Sequence, residues 1–166
     1  KKLKYEQRQL SKKVKGSNNR KKAVKKLAVL HERIANQRLD FLHKTTTAIA
    51  KQYDTAIVEN LNISGMLKNR KLSQSIADLG LGRFYTLLEY KMKENGGNYI
   101  EIGRFEPSSR LCTCGTINKD LKLSDRVWTC QSCGKTHQRD WLAANNIKRF
   151  GLKDQNLITF TAGTVG

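Results

Sequence analysis

Past a turn signal at residues 16–19 (GSNN), apolar and small side chains return at steps of three and four: Leu27, Leu30, Ile34, Ala35, Leu39, Leu42, Thr46 and Ile49. That interval predicts one long amphipathic helix, with a shorter basic helix before the turn. At residues 55–62, TAIVENLN, the rhythm changes. The continuous Ala56-Ile57-Val58 reads as a buried strand, and Glu59 stands where it meets a loop. Residues 63–75, ISGMLKNRKLSQS, predict a polar connection containing Gly65. Ile76, Leu79, Phe84, Leu87, Leu88 and Met92 then mark a helix whose first half Gly80 and Gly82 weaken and which ENGG at 94–97 ends. Tyr99, Ile100 and Ile102 predict a second short strand, and Arg104 to Ser109 leads into a cysteine-rich stretch. Residues 139–150, RDWLAANNIKRF, read as a helix opened by Asp140, with Leu142, Ala143, Ile147 and Phe150 on one side. From Gly151 onward, Thr and Gly without much charge predict irregular chain. The order helix, strand, helix, strand, cysteine insert, helix predicts a mixed α/β core carrying a small module, with no internal repeat.

Charge narrows the class of partner. The formal net charge is +18, and residues 1–52 alone carry 16 Lys or Arg against 3 Asp or Glu, a net +13. Cations in that number without matching acids exceed what solubility requires and predict a polyanion as partner. Lys12, Lys13, Lys15, Arg20, Lys21, Lys22, Lys25 and Lys26 are the expected nucleic-acid-binding residues, making sequence-independent phosphate contacts. At 38% hydrophobic residues the chain can bury a core, which excludes wholesale disorder. No apolar run reaches the roughly 18 residues of a membrane span, and KKLKYEQRQL lacks the apolar stretch of a signal peptide, so a soluble cytoplasmic protein without a membrane partner is expected. The first residue is Lys1 rather than Met, as in an excised domain, a processed product or the ordered part of something longer.

All four cysteines fall in two close pairs, Cys112 with Cys114 and Cys130 with Cys133. Two knuckles separated by enough chain for a small hairpin are what a tetrahedral Zn²⁺ site asks for. A Cys112–Cys114 disulfide would close a strained loop, and a reducing interior opposes any bridge. Four thiolates fill the coordination sphere, so the zinc expected is structural rather than catalytic. His137 stands just beyond the second knuckle as a supporting or surface residue. The first pair is C-x-C where C-x-x-C is commoner, so its turn must be tighter.

Few residues are acidic, and two stand at element ends: Glu59 after its strand and Asp140 at the final helix. By spacing alone, Asp140 is equally an N-cap and Glu59 equally a solvated strand end. Taken together, IVENLNISGM (57–66), RFEPSSRLCTCG (104–115), LKLSDRVWTCQSCG (121–134) and HQRDWLAANNI (137–147) resemble the C-terminal half of the transposon-encoded OrfB or TnpB proteins, and KKLAVLHERIANQRLDFLHK (25–44) extends the resemblance over nearly the whole chain.

The resemblance implies an incomplete RuvC/RNase H-like core with long basic helices and an inserted zinc ribbon, related to the nuclease half of type V CRISPR effectors. It divides the chain into a basic helical segment (1–54), core strands and helix (55–109), the ribbon (110–136), and a final helix with tail (137–166). It further implies an RNA-guided DNA endonuclease linked to insertion sequences, with DNA and a guide RNA as partners, in which three carboxylates hold two Mg²⁺ or Mn²⁺ ions. The second family carboxylate falls on Glu59 and the third on Asp140. Asn60, Gln138 and Trp141 depart from the residues usual there: Asp, Asp and a small polar side chain. The first catalytic Asp, in a G-x-D-x-G motif upstream of the basic helices, has no counterpart in residues 1–166. Residues 1–166 are therefore expected not to cut DNA by themselves. Two other readings stand beside this one: a non-catalytic zinc-ribbon nucleic-acid binder derived from a truncated relative, and a ribosomal or transcription-associated ribbon protein, which leaves AIVENLN and QRDWLAANNI unexplained. Phe105 and Trp128 are candidates to stack on bases, with Trp128 equally suited to pack the ribbon core.

Overall fold

In the computed structural model, which describes residues 1–70, 73–122 and 124–154, the basic N-terminal region is a helical hairpin of α1 (Lys2–Ser11) and α2 (Asn18–Gln52). The turn works through Ser17, whose hydroxyl accepts from the Arg20 backbone N–H at 3.2 Å and so caps α2. Arg20 reaches back, its Nη1 donating to the carbonyls of Leu10 and Lys13, both at 3.2 Å. The Lys13 carbonyl gains a partner in this way, and the Leu10 carbonyl, which already accepts from the Lys13 N–H at 3.1 Å, gains a second. Lys26 pairs with Glu6 at 2.9 Å. The stripe on α2 is buried only toward its C-terminal end, at Leu42, Thr46 and Ala50, and α1 buries no residue. The outer hairpin is a solvated basic arm.

The core is a parallel pair of strands, β1 (Thr55–Glu59) and β2 (Asn98–Ile102), in register from Thr55 opposite Asn98 to Glu59 opposite Ile102. A parallel pair needs a long crossover. Here it runs through α3 (Ile63–Leu67), α4 (Ser73–Leu79) and α5 (Leu81–Glu94). Leu88 and Met92 of α5 close on Ala50 of α2 and Ala56 of β1, with Ile49, Val58, Phe84 and Tyr99 around them. The last helix, α6 (Arg139–Asp154), packs against both strands. It approaches β1 so closely at Gly151 that a Cβ there would overlap a methyl of Ile57.

Three expectations need correction. The helix read over Ile76 to Met92 is two helices, because Gly80 takes a left-handed conformation (φ 63°, ψ 34°) between α4 and α5. The stretch 63–75 is not all connection: α3 forms in it, with the Asn62 side-chain oxygen accepting from the Gly65 N–H at 3.0 Å. Residues 151–154 continue α6 rather than turning irregular, and the remainder of that tail, 155–166, lies outside the described residues.

Lys91 of α5 is buried against α2. Its ammonium donates to the His43 carbonyl (2.7 Å), the Thr46 hydroxyl (2.9 Å) and the Thr47 hydroxyl (2.6 Å), which uses all three protons. Burial lowers its pKa from the ordinary 10.5, opposed in part by Glu94.

The cysteine module is built on β3 (Val127–Thr129) and β4 (Thr136–Gln138), antiparallel with Trp128 opposite His137, and on a bridge between Leu111 and Ile117. Its core of Cys112, Leu121, Trp128 and Cys130 includes Leu142 of α6, so the module is seated on the last helix. Among the described residues no helix is long and apolar enough to cross a membrane.

Candidate metal centres

The four thiols converge as their spacing predicts. Their sulfurs lie within 4.8 Å of one another, with Cys112 to Cys133 at 3.6 Å and Cys114 to Cys130 at 3.7 Å. A zinc tetrahedron with Zn–S near 2.3 Å has edges of about 3.8 Å, so the cluster has the size and the soft donors of a structural zinc site. None of the four is in a disulfide. Tight turns form the knuckles: Cys112 N–H donates to the Thr116 carbonyl (2.8 Å), and Cys130 N–H to the Lys135 carbonyl (2.9 Å). Thr116, through its hydroxyl and then its backbone N–H, lowers the Cys114 thiol to about 6. The Cys133 backbone N–H lowers Cys130 against the opposing effect of burial. Those two shifts favour the thiolate, the form that binds metal, whereas at Cys133 the Lys135 backbone is outweighed by the neighbouring Cys114 and by burial, and the thiol is pushed up to about 11.

His137 is buried, with Nε2 3.0 Å from the Cys112 sulfur and its ring against Trp128 (centroids 5.0 Å apart). Burial lowers its pKa, and the nearby Lys135 charge does so further. It supports a ligand and is not among the four-sulfur cluster.

Glu59 and Asp140 line one cavity of about 260 Å³, together with Ser108, Arg110, Lys122 and Arg139. The C-terminal end of β1 delivers Glu59, and the first turn of α6 delivers Asp140. The Ser108 hydroxyl donates to Glu59 Oε1 at 2.5 Å. Asp140 is 58% exposed and held by two guanidinium groups, Arg126 at 3.3 Å and Arg139 at 3.0 Å. It does not cap α6: the Gln138 side-chain oxygen accepts from the Trp141 N–H at 2.6 Å in that role. Asn60 accepts from Arg104 at 2.8 Å.

Two residues escaped the sequence reading: Ser108, which lines this cavity, and Asn146, which holds Ser108 from α6. Asn146 is 1% exposed, and its amide donates to the carbonyls of Ser108 (2.8 Å) and Leu111 (2.7 Å). The signal available was an Asn four residues after Leu142, on the apolar side of α6.

On the basic arm, Lys12, Lys13, Lys15, Lys21, Lys22 and Lys25 are exposed, whereas Arg20 and Lys26 are engaged within the hairpin. Phe105 is 93% exposed, and Trp128 is buried in the ribbon core.

Two family models divide the chain between them. “Probable transposase” (OrfB_IS605) matches residues 1–70, the arm and Glu59, and “Cas12f1-like, TNB domain” matches residues 82–147, which include the four cysteines and Asp140. Over 147 residues the chain is 46% identical to a “Putative RNA-guided DNA endonuclease” of Streptomyces pristinaespiralis, covering 88% of this chain and 36% of that protein. The chain belongs to the TnpB/Cas12f-like family. Other TnpB/Cas12f-like relatives agree. Identity is 37% over 166 residues to “Putative RNA-guided DNA endonuclease InsQ” of Escherichia coli, covering 91% of this chain and 41% of the relative. It is 30% over 141 residues to “CRISPR-associated endodeoxyribonuclease Cas12f1” of Sulfoacidibacillus thermotolerans, covering 80% and 32%. The chain thus spans 41% or less of the length of these three relatives.

Proposed function

We propose that this chain is part of the nuclease domain of an RNA-guided DNA endonuclease linked to transposable elements and their transposition. The observation that supports it best is the convergence of Glu59 and Asp140, far apart in sequence, on one cavity rimmed by Arg110, Lys122 and Arg139. On this reading β1, β2 and α6 belong to a RuvC/RNase H-like core. Glu59 and Asp140 are two of three carboxylates for Mg²⁺ or Mn²⁺, and hard oxygen donors suit those ions. When bound, such a pair of ions supplies an activated water and stabilises the leaving oxygen of a phosphodiester.

The chain's own residues do the rest. Ser108 orients Glu59, Arg126 and Arg139 restrain Asp140 until metal competes for it, and Arg110 and Lys122 meet the phosphates of the strand to be cut. The exposed lysines of the arm bind nucleic-acid backbone, DNA or guide RNA, without reading sequence. The ribbon's zinc holds structure and leaves no open coordination position.

In the full-length protein loaded with guide RNA, Glu59→Gln and Asp140→Asn should each abolish Mg²⁺-dependent cleavage while target binding persists. Residues 1–166 alone should not cut DNA with Mg²⁺ or Mn²⁺. Undiminished cleavage by Glu59→Gln refutes the assignment. The double guanidinium clasp on Asp140 favours a second reading, a zinc-ribbon binder without catalysis. That reading predicts target binding by the full-length protein and no cleavage at all.

A further inference from the structure

We infer that the first knuckle of the zinc ribbon holds both acidic residues in place, with Ser108 and Asn146 as positioning residues for Glu59 and His137 as the link to Asp140. Only the role of the two carboxylates as metal ligands rests on the nuclease reading; the linkage rests on contacts within the chain.

On one side, the Ser108 hydroxyl is bonded to Glu59, and Ser108 lies four residues before the zinc ligand Cys112. The segment between them is pinned from α6. Asn146, almost wholly buried, spends both amide protons on the carbonyls of Ser108 and Leu111, and Arg149 Nη1 donates to its oxygen at 3.4 Å, which fixes the amide in that orientation. An amide used in this way has no water to replace its partners, so the segment cannot shift without leaving buried polar atoms unpaired. On the other side, His137 of β4 touches the Cys112 sulfur, and the chain passes from β4 directly into α6. Arg139 N–H donates to the Arg126 carbonyl at 2.8 Å, and the Arg126 side chain reaches Asp140. Cys112, fully buried, is thus the point from which short bonded paths lead to both carboxylates.

The test is NMR on the isotopically labelled chain. It follows the carboxyl ¹³C resonances of Glu59 and Asp140, with the amides of Ala56 and Leu88 as reporters of the separate strand–helix core. Stripping zinc with a chelator should move the Ser108 amide and both carboxyl resonances by more than their linewidths while Ala56 and Leu88 stay. With zinc bound, Ser108→Ala should move Glu59 and spare the ribbon amides. Ser108→Thr, which keeps a hydroxyl, should return Glu59 to its original position, and Asn146→Ala should move Ser108 and Glu59 together. A Glu59 resonance unmoved by zinc removal, or unmoved in Ser108→Ala, overturns the inference. If the stripped chain unfolds as a whole, the zinc-bound Ser108→Ala spectrum decides. None of these readouts depends on cleavage, so a failed nuclease assignment and a failed linkage give different results.

Discussion

Duplex DNA should leave this chain steeply as salt rises, and the structure says how steeply. Of the eight expected phosphate-binding residues around the turn of the hairpin, Arg20 is spent on two carbonyls and Lys26 on Glu6, which leaves the six exposed lysines to meet phosphates. Each phosphate neutralised adds about −0.9 to the slope of log K against log salt, so the arm contributes about −5.4. That corresponds to roughly a 10³-fold loss between 50 and 200 mM salt, whereas engagement of all eight would give about −7.2. Anisotropy of a labelled duplex titrated with the chain at several salt concentrations measures the slope directly. Lys21→Ala should flatten it by about 0.9, and Glu6→Gln, by releasing Lys26, should steepen it by a similar amount. Arg20→Ala should change the slope little and loosen the hairpin instead. An unchanged slope in Lys21→Ala, or a wild-type slope shallower than about −2, would refute the placement of the phosphate contacts on this arm.

Three further outcomes follow from the packing. Cys112→Ser should lower bound zinc, read by elemental analysis, and shift tryptophan emission to the red. The shift reports on Trp128 alone, since it is 7% exposed whereas Trp141 is already 74% exposed. Gly151→Ala drives a methyl into Ile57 and should cost about 1–3 kcal/mol, seen as a lower urea midpoint; an unchanged midpoint would mean that α6 is not seated on β1 as described. Lys91→Met tests the buried ammonium by its pH dependence. Because the folded-state pKa lies below the unfolded one, the unfolded chain holds more protons between the two values, and wild-type stability gains with pH up to about 10.5. The variant should lack that gain, so the difference in stability between wild type and variant should grow in favour of the wild type as pH approaches 10.5. A difference flat with pH would exclude the lowered pKa.

Much of this protein is legible in its sequence because the forces involved are local. The stripe from Leu27 to Ile49 marks α2, since residues three and four apart share a helix face whatever lies beyond. The cysteine cluster is set by two knuckles a few residues long, and its four sulfurs assemble as the spacing foretold. The charge of the arm is a matter of counting. Three things depended on tertiary structure. The split at Gly80 reflects the path that α4 and α5 take over Leu42, whose side chain would sit 3.3 Å from a Cβ there. Lys91 is not singled out by the sequence, and it is packing against Thr46 and Thr47 that buries it. The cavity that joins Glu59 to Asp140, and the Asn146 amide that ties Ser108 to the ribbon, require residues distant in the chain to meet. Periodicity and spacing report what one segment does alone; which segments touch is decided by the burial of all of them at once.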